Sequence, residues 1–141
     1  MLVTDRMPFL KPFFRQKPRK NFLVALWHEI NLNLERYFVV EQRQFITEPF
    51  ENNACHEART FASLKFPREL TEYAHAVDQF NALFREMKEF EAFYSSSIDK
   101  KTKENAEILH QQKESLQVMF NGLRPKIDAA QSSLRRLLEK S

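Results

Sequence analysis

The region between residues 70 and 98 places an apolar side chain at nearly every third or fourth position, with one interruption at Glu91. This spacing predicts a long α-helix whose apolar stripe must be buried against another helix, as in a coiled coil. The stripe, called the seam below, consists of Leu70, Tyr73, Val77, Phe80, Phe84, Met87, Tyr94 and Ile98. We therefore expect an all-α fold with this helix at its centre.

Glycine is almost absent: Gly122 is the one glycine in 141 residues. Tight turns and phosphate-binding loops depend on glycine, so this composition favours long helices and argues against dinucleotide and P-loop sites. A hydrophobic share of 43% is too high for a disordered chain. Cys55 cannot form an internal disulfide, and the N-terminus has no continuous apolar segment typical of a secretion signal. We expect a cytoplasmic protein.

Two helices are predicted before the seam. The first runs from Asn21 to about Phe45 or Ile46, and its apolar face is wide enough to suggest burial on more than one side. The second begins near Pro49 and ends near Leu64, before Pro67. The expected inward residues are Leu23, Trp27, Ile30, Leu34, Phe38 and Phe45 in the first helix, and Phe50, Ala54, Ala58, Phe61 and Leu64 in the second.

The seam helix is predicted to run from about Arg68 to Tyr94. A second helix capped by Ser97 would complete a helical hairpin, although one continuous helix is the alternative because neither Pro nor Gly intervenes. A second, more polar seam follows, and Gly122 and Pro125 predict a stop before a last amphipathic helix. These two later stripes consist of Asn105, Leu109, Gln112, Leu116, Met119 and Leu123, then Ile127, Ala130, Leu134, Leu137 and Leu138.

The fold class is therefore an all-α bundle of four or five helices with a central helical hairpin. We divide the chain into an arm of residues 1–20 and a single helical-bundle domain of residues 21–141. The arm holds six basic residues and one acidic residue, whereas the remainder is slightly acidic. Because Pro8, Pro12 and Pro18 interrupt the arm, we expect it to be irregular. Its phenylalanines either bind a partner or cover the domain's own core.

No motif predicts catalysis. Glu72 with His75, and Glu107 with His110, have the Glu-x-x-His spacing of di-iron bundles, but the seams direct both pairs outward. Cys55 and His56 are adjacent on a helix, so their side chains do not face each other as a nucleophile and base must. We expect no enzyme activity, catalytic residue, metal or cofactor.

The remaining prediction is a protein-interaction module, such as an adaptor, chaperone-like factor or assembly subunit, that acts through exposed apolar helix faces and the arm. The partner would be a protein, either another copy or a different chain. The predicted partner-binding residues are Phe9, Phe13, Phe14, Lys17, Arg19 and Lys20. The alternative is attachment to an anionic membrane surface through the arm and the last helix. Nucleic-acid binding is less favoured because the folded part is slightly acidic.

Overall fold

A computed structural model describes residues 11–60 and 65–140, with side chains from residue 20 onward. It contains α1 (Lys11–Arg43), α2 (Asn53–Thr60), α3 (Arg68–Ser95) and α4 (Lys103–Glu139), with a short 3-10 turn at Ile98–Lys100. Within those ranges there is no strand. The predicted all-α bundle with a central hairpin, here α3 and α4, is confirmed.

Helix α4 runs antiparallel to both α1 and α3. Against α1, Gln131 donates a 2.8 Å hydrogen bond to Asn31, while the Arg124 guanidinium lies 4.6 Å from the ring centre of Phe38 further along. Against α3, Lys113 pairs with Glu91 at 3.2 Å and Arg136 pairs with Glu69 at 3.6 Å. Helices α1 and α3 therefore point the same way, and the chain between them must return along the bundle.

Residues 44–52, called the connector below, and α2 make that return. They occupy the position that a full helix would take in an up-down-up-down four-helix bundle. The connector is extended where a neighbouring helix would bond its own backbone, so its N–H and C=O groups need partners from side chains. This requirement determines several of the polar contacts described below.

The seam of α3 is buried as predicted from Leu70 to Met87, while Tyr94 is half-buried. Ile98, the last predicted seam position, is 87% exposed because it lies in the 3-10 turn beyond the helix. At mid-bundle, Phe80 lies within aromatic contact of Phe50 and of Phe120, with ring centres 5.1 and 6.5 Å apart. The core is thus closed by one residue from each neighbouring element.

The predicted hairpin is correct, but the predicted capping residue is not. Helix α4 begins after Thr102, whose hydroxyl accepts a 3.1 Å hydrogen bond from the backbone N–H of Asn105. Ser97 precedes the 3-10 turn and makes no capping hydrogen bond with its side chain. Because the turn takes up residues 98–100, the cap moves five residues along the chain.

The predicted stop at Gly122 and Pro125 is wrong, because α4 continues through both residues. Gly122 does not adopt the positive φ that ends helices at glycine. On either side of Pro125, Leu123 and Ile127 are 1% and 0% exposed. Their burial in the core offsets the hydrogen bond that Pro125 cannot donate.

The Gly122→Ala substitution should raise the free energy of unfolding by about 0.5–1 kcal/mol, because alanine loses less backbone entropy in a helix. A Cβ at this position would have no neighbour within 4 Å, so the change adds no clash. Urea unfolding of both proteins measures the difference. A loss of stability would mean that the backbone of α4 at residue 122 is not an ordinary helix.

The prediction that the arm is irregular is wrong for its second half. Residues 11–20, predicted to be irregular, belong to α1, which crosses the domain boundary placed at residue 20. Pro12 falls in the first turn, where its missing N–H costs nothing, and the helix bears the single hydrogen bond lost at Pro18. Residues 1–10 lie outside the described part of the chain.

The buried face of α1 is rotated from the predicted one. Leu23 and Ile30 are buried as expected, but Phe38 and Phe45 are 39% and 58% exposed. Trp27 and Leu34 are only partly buried. The buried line consists of Leu23, Leu26, Ile30, Asn33 and Tyr37. It faces the space between α4 and the connector, which the local apolar pattern could not locate.

Helix α2 is shorter than predicted: it starts at Asn53, and Pro49 belongs to the connector. Phe50 and Ala58 are buried as expected, whereas Ala54 is half-buried. The predictions for Phe61 and Leu64 fall on residues that are not described. The extended connector replaces the first predicted turn because α1 and α3 supply partners for its backbone.

Candidate functional site

Two buried asparagines bind the backbone of the connector. Asn33 of α1 accepts from the N–H of Glu51 at 2.9 Å and donates to the carbonyl of Glu51 at 2.8 Å. Asn81 of α3 binds both backbone groups of Phe50 in the same way, at 3.0 and 2.9 Å. Asn33 is 0% exposed and also donates to the Tyr73 hydroxyl at 2.7 Å. This asparagine pair thus supplies hydrogen-bond partners to the backbone N–H and C=O groups of an extended segment inside a helical bundle.

Glu29 performs the equivalent task at the start of α2. Its carboxylate accepts the backbone N–H groups of Ala54 and Cys55 at 2.8 and 3.0 Å. Burial raises the pKa of Glu29 above its ordinary value, and the two N–H groups oppose that rise. The carboxylate is fully occupied by this helix N-terminus, so it has a structural role.

The raised pKa of Glu29 makes stability depend on pH. In the unfolded chain this carboxyl titrates near 4.5, so between 4.5 and the higher folded pKa the folded protein binds more protons. The contribution of Glu29 to the free energy of unfolding should therefore fall as pH rises through that window. Unfolding of the native protein and of Glu29→Gln across the acid range measures it. If the free energy of unfolding of the native protein, minus that of Glu29→Gln, instead rises with pH in this window, the raised pKa of Glu29 is contradicted.

Cys55 and His56 do not form a nucleophile–base pair. Cys55 is 2% exposed, and burial, followed by the charge of Glu29, raises the pKa of its thiol to about 12. A thiol with that pKa is protonated at neutral pH and a poor nucleophile. The ring of His56 instead lies 3.2 Å from the carboxylate of Asp78 on α3, which also pairs with Arg59.

The Glu-x-x-His pairs lie at the surface. Glu72 binds Arg68 at 2.7 Å and Lys126 at 3.8 Å, while His75 is exposed. His110 pairs with Glu114 at 2.9 Å. Across residues 11–60 and 65–140, no group of three or more His, Cys, Asp or Glu side chains is placed to hold a metal ion.

An apolar groove lies between the second half of α1 and the connector. It has a volume of about 330 Å³. Arg36 forms it by holding the connector beside α1: it donates to the carbonyl of Pro49 at 3.0 Å and pairs with Glu48 and Glu51 at 3.7 and 3.3 Å. The groove, as named below, is lined by Leu32, Glu35, Arg36, Val39, Val40, Ile46, Thr47, Glu48 and Phe50.

The groove continues onto a face of α1 that points away from the core. On this outer face Val24, Leu32 and Val39 are 37%, 40% and 47% exposed. Glu35 lies beside Leu32 and Val39 and forms no ion pair with any described residue. The outer face thus combines apolar side chains with one unpaired carboxylate.

The structure does not bring the predicted partner-binding residues to this groove within one chain. Phe13, Phe14, Lys17 and Arg19 lie in the first turns of α1, Lys20 is exposed, and Phe9 is outside the described residues. Position 17 precedes position 35 by roughly 27 Å along a straight helix. Sequence reasoning missed the groove residues. The signal that could have found them is the extra width of the apolar face of α1.

No family model, curated protein or solved structure matches this chain. A stretch that is long and apolar enough to cross a membrane does not occur in any helix of the described residues.

Proposed function

We propose that this protein is a non-enzymatic interaction module that binds another protein chain through the outer face and groove of α1. The observation that supports this proposal most is the exposure of apolar side chains on the side of α1 opposite its buried line. Because α1 already buries Leu23, Leu26 and Ile30 in the core, a second apolar face has no task in the isolated bundle. The adaptor, chaperone-like and assembly roles all fit such a face.

The arm contributes to the same proposal. Its five basic residues at positions 11–20 belong to the first turns of α1, and its phenylalanines are of a type that interface cores favour. Membrane attachment has less support from the C-terminal half of α4, because Ile127, Ala130 and Leu134 are 0% exposed and pack inside the bundle. Those apolar residues are not available to insert into lipid.

The test passes a cell lysate over the immobilised native chain and over an immobilised Leu32→Glu/Val39→Glu variant, and compares the proteins that each retains. Both positions are at least 40% exposed, so the variant should keep its melting temperature and lose the bound protein. A second variant, with Phe9, Phe13 and Phe14 changed to alanine, tests the arm in the same assay.

A matched control is Ile98→Glu/Ile108→Glu, which changes two exposed apolar residues at the far end of the hairpin. This control should retain the same proteins as the native chain. If the α1 variant retains every protein that the native chain does, the outer face of α1 is not the binding surface.

A further inference from the structure

Helix α1 ends in a backbone conformation that is unfavourable for most residues. Gln44, the first residue after the helix, has a φ of 63°, and no other non-glycine residue has a positive φ in the part of the chain that the structure describes. Its N–H donates to the carbonyl of Val40 at 2.6 Å, as in a left-handed helix cap. Glycine usually takes this position, because a Cβ there crowds the following carbonyl oxygen. The backbone at Gln44 is therefore strained.

The strained turn is held in place by contacts further along the connector. The asparagine pair binds both backbone groups of Phe50 and of Glu51, and Phe50 is 5% exposed in the core. Arg36 adds a 3.0 Å hydrogen bond to the carbonyl of Pro49. None of these contacts involves residue 44 itself. The left-handed turn persists because the segment beyond it is bound.

The local sequence favours a longer helix at this point. No residue that breaks helices occurs between Arg43 and Pro49, and Phe45 and Ile46 repeat the apolar pair that lies seven residues earlier in α1. In the structure both residues belong to the connector instead, and Phe45 is 58% exposed. The local preference for helix and the observed turn therefore conflict at the end of α1.

A longer α1 and a bound connector exclude each other. One more turn, residues 44–47, would place residue 47 about 21 Å from Asn33 along the helix axis, since each residue adds about 1.5 Å. The four residues from 47 to Glu51 span at most about 14 Å when fully extended. The Asn33 side chain cannot bridge the difference, because side chains on a helix tilt toward its N-terminus and thus away from residue 47. The connector would have to leave α1.

We propose that Gln44 is the hinge of a conformational device that forms and opens the groove. In the docked state Gln44 is left-handed, the asparagine pair binds the connector and the groove exists. In the released state Gln44 is right-handed and α1 gains a turn, so the groove loses the wall formed by Ile46 and Phe50. A partner that fills the groove binds only the docked state. The hinge does not depend on the proposed function, whereas its control of binding rests on it.

The test measures amide hydrogen exchange at Phe50 and Glu51 in the full chain, where exchange of these two amides reports local opening of the connector. Gln44→Gly relieves the strain of the docked state, so the protection of both amides should rise about fivefold. Gln44→Val places a branched side chain in the left-handed turn, so their protection should fall about fivefold or more.

Gln42→Gly is the matched control. It makes the same substitution at another exposed glutamine two residues earlier, inside α1. Glycine is unfavourable within a helix, so this variant should not raise the protection of Phe50 or Glu51. A rise that is confined to Gln44→Gly would identify the left-handed turn, and not the loss of a glutamine side chain, as the cause.

A second measurement examines the released state itself. Asn81→Ala removes both hydrogen bonds to the backbone of Phe50 and should populate this state. Carbon chemical shifts of residues 44–47 should then move to helical values, and the addition of Gln44→Gly should reverse the change. If Asn81→Ala does not fold, the comparison of Gln44→Gly with Gln42→Gly still decides the question.

Three results would overturn the inference: no rise in protection with Gln44→Gly, an equal rise with Gln42→Gly, or residues 44–47 that become irregular in Asn81→Ala when the connector is released. The proposed function fails separately. If Asn81→Ala releases the connector as expected but still retains every protein that the native chain retains from a lysate, the groove is not the binding surface, although the hinge is confirmed.

Discussion

Replacing Asn33 with alanine should lower the free energy of unfolding by about 3–5 kcal/mol, the largest effect we expect from any single polar side chain. Asn33 makes three hydrogen bonds, two to the backbone of Glu51 and one to the Tyr73 hydroxyl. Its removal leaves those groups without a partner in a part of the bundle where Asn33 itself is 0% exposed. Each such group costs about 1–3 kcal/mol when it is stranded away from water.

Urea unfolding measures the loss, and amide hydrogen exchange at Glu51 locates it. Exchange at Glu51 should accelerate much more than exchange in the middle of α4. Asn31→Ala is the matched control: this asparagine lies on the same helix, is half-buried, and bonds Trp27 of its own helix and Gln131. We expect the control to cost about 0.5–1 kcal/mol. Equal losses in the two variants would mean that the connector is not held by Asn33.

Asn33 also marks a limit of sequence reasoning. In a helix pattern an asparagine between leucines predicts an outward polar position, and nothing near residue 33 indicates that its partners lie 18 and 40 residues further along. The seam of α3 could be predicted because its six positions from Leu70 to Met87 repeat within one helix. Long-range polar contacts have no such repeat.

The buried face of α1 could be predicted only in part from the local apolar pattern. Apolar residues surround much of this helix, so the sequence predicts that it is buried on more than one side but does not decide between Trp27 and Leu26 as the inward residue. That choice depends on where α4 and the connector lie. The groove was missed for the same reason, since Ile46 and Phe50 approach Leu32 and Val39 only after the connector turns back along α1.

The predicted apolar stripe in the first part of α4 is wrong at one position, where the choice was between a step of three and a step of four residues. Counting from Leu116, the sequence reading took Met119 as the next inward residue, but Met119 is 37% exposed and Phe120 is 2% exposed. Both choices fit a heptad, and the aromatic contacts of Phe120 with α1 and the connector decide between them. The residue that sequence reasoning omitted from this stripe is therefore one whose ring contacts three other segments of the bundle.

Replacing Phe120 with alanine should cost about 3–5 kcal/mol of unfolding free energy, because a large buried ring is removed and the cavity closes only in part. Phe120 stacks on Tyr37 of α1, with ring centres 4.2 Å apart and planes within 7° of parallel. It also lies 6.4 Å from Phe50 and 6.5 Å from Phe80, so one side chain joins α4 to three other segments. Truncation removes contacts with all of them at once.

Phe93→Ala is the matched control for this prediction. Phe93 is 43% exposed and contacts mainly Phe90 and Lys100, so its loss should cost less than about 1 kcal/mol. Urea unfolding with an unchanged m-value would show that Phe120→Ala changes stability without altering the unfolded state. A cost for Phe120→Ala as small as that of the control would contradict the central packing described here.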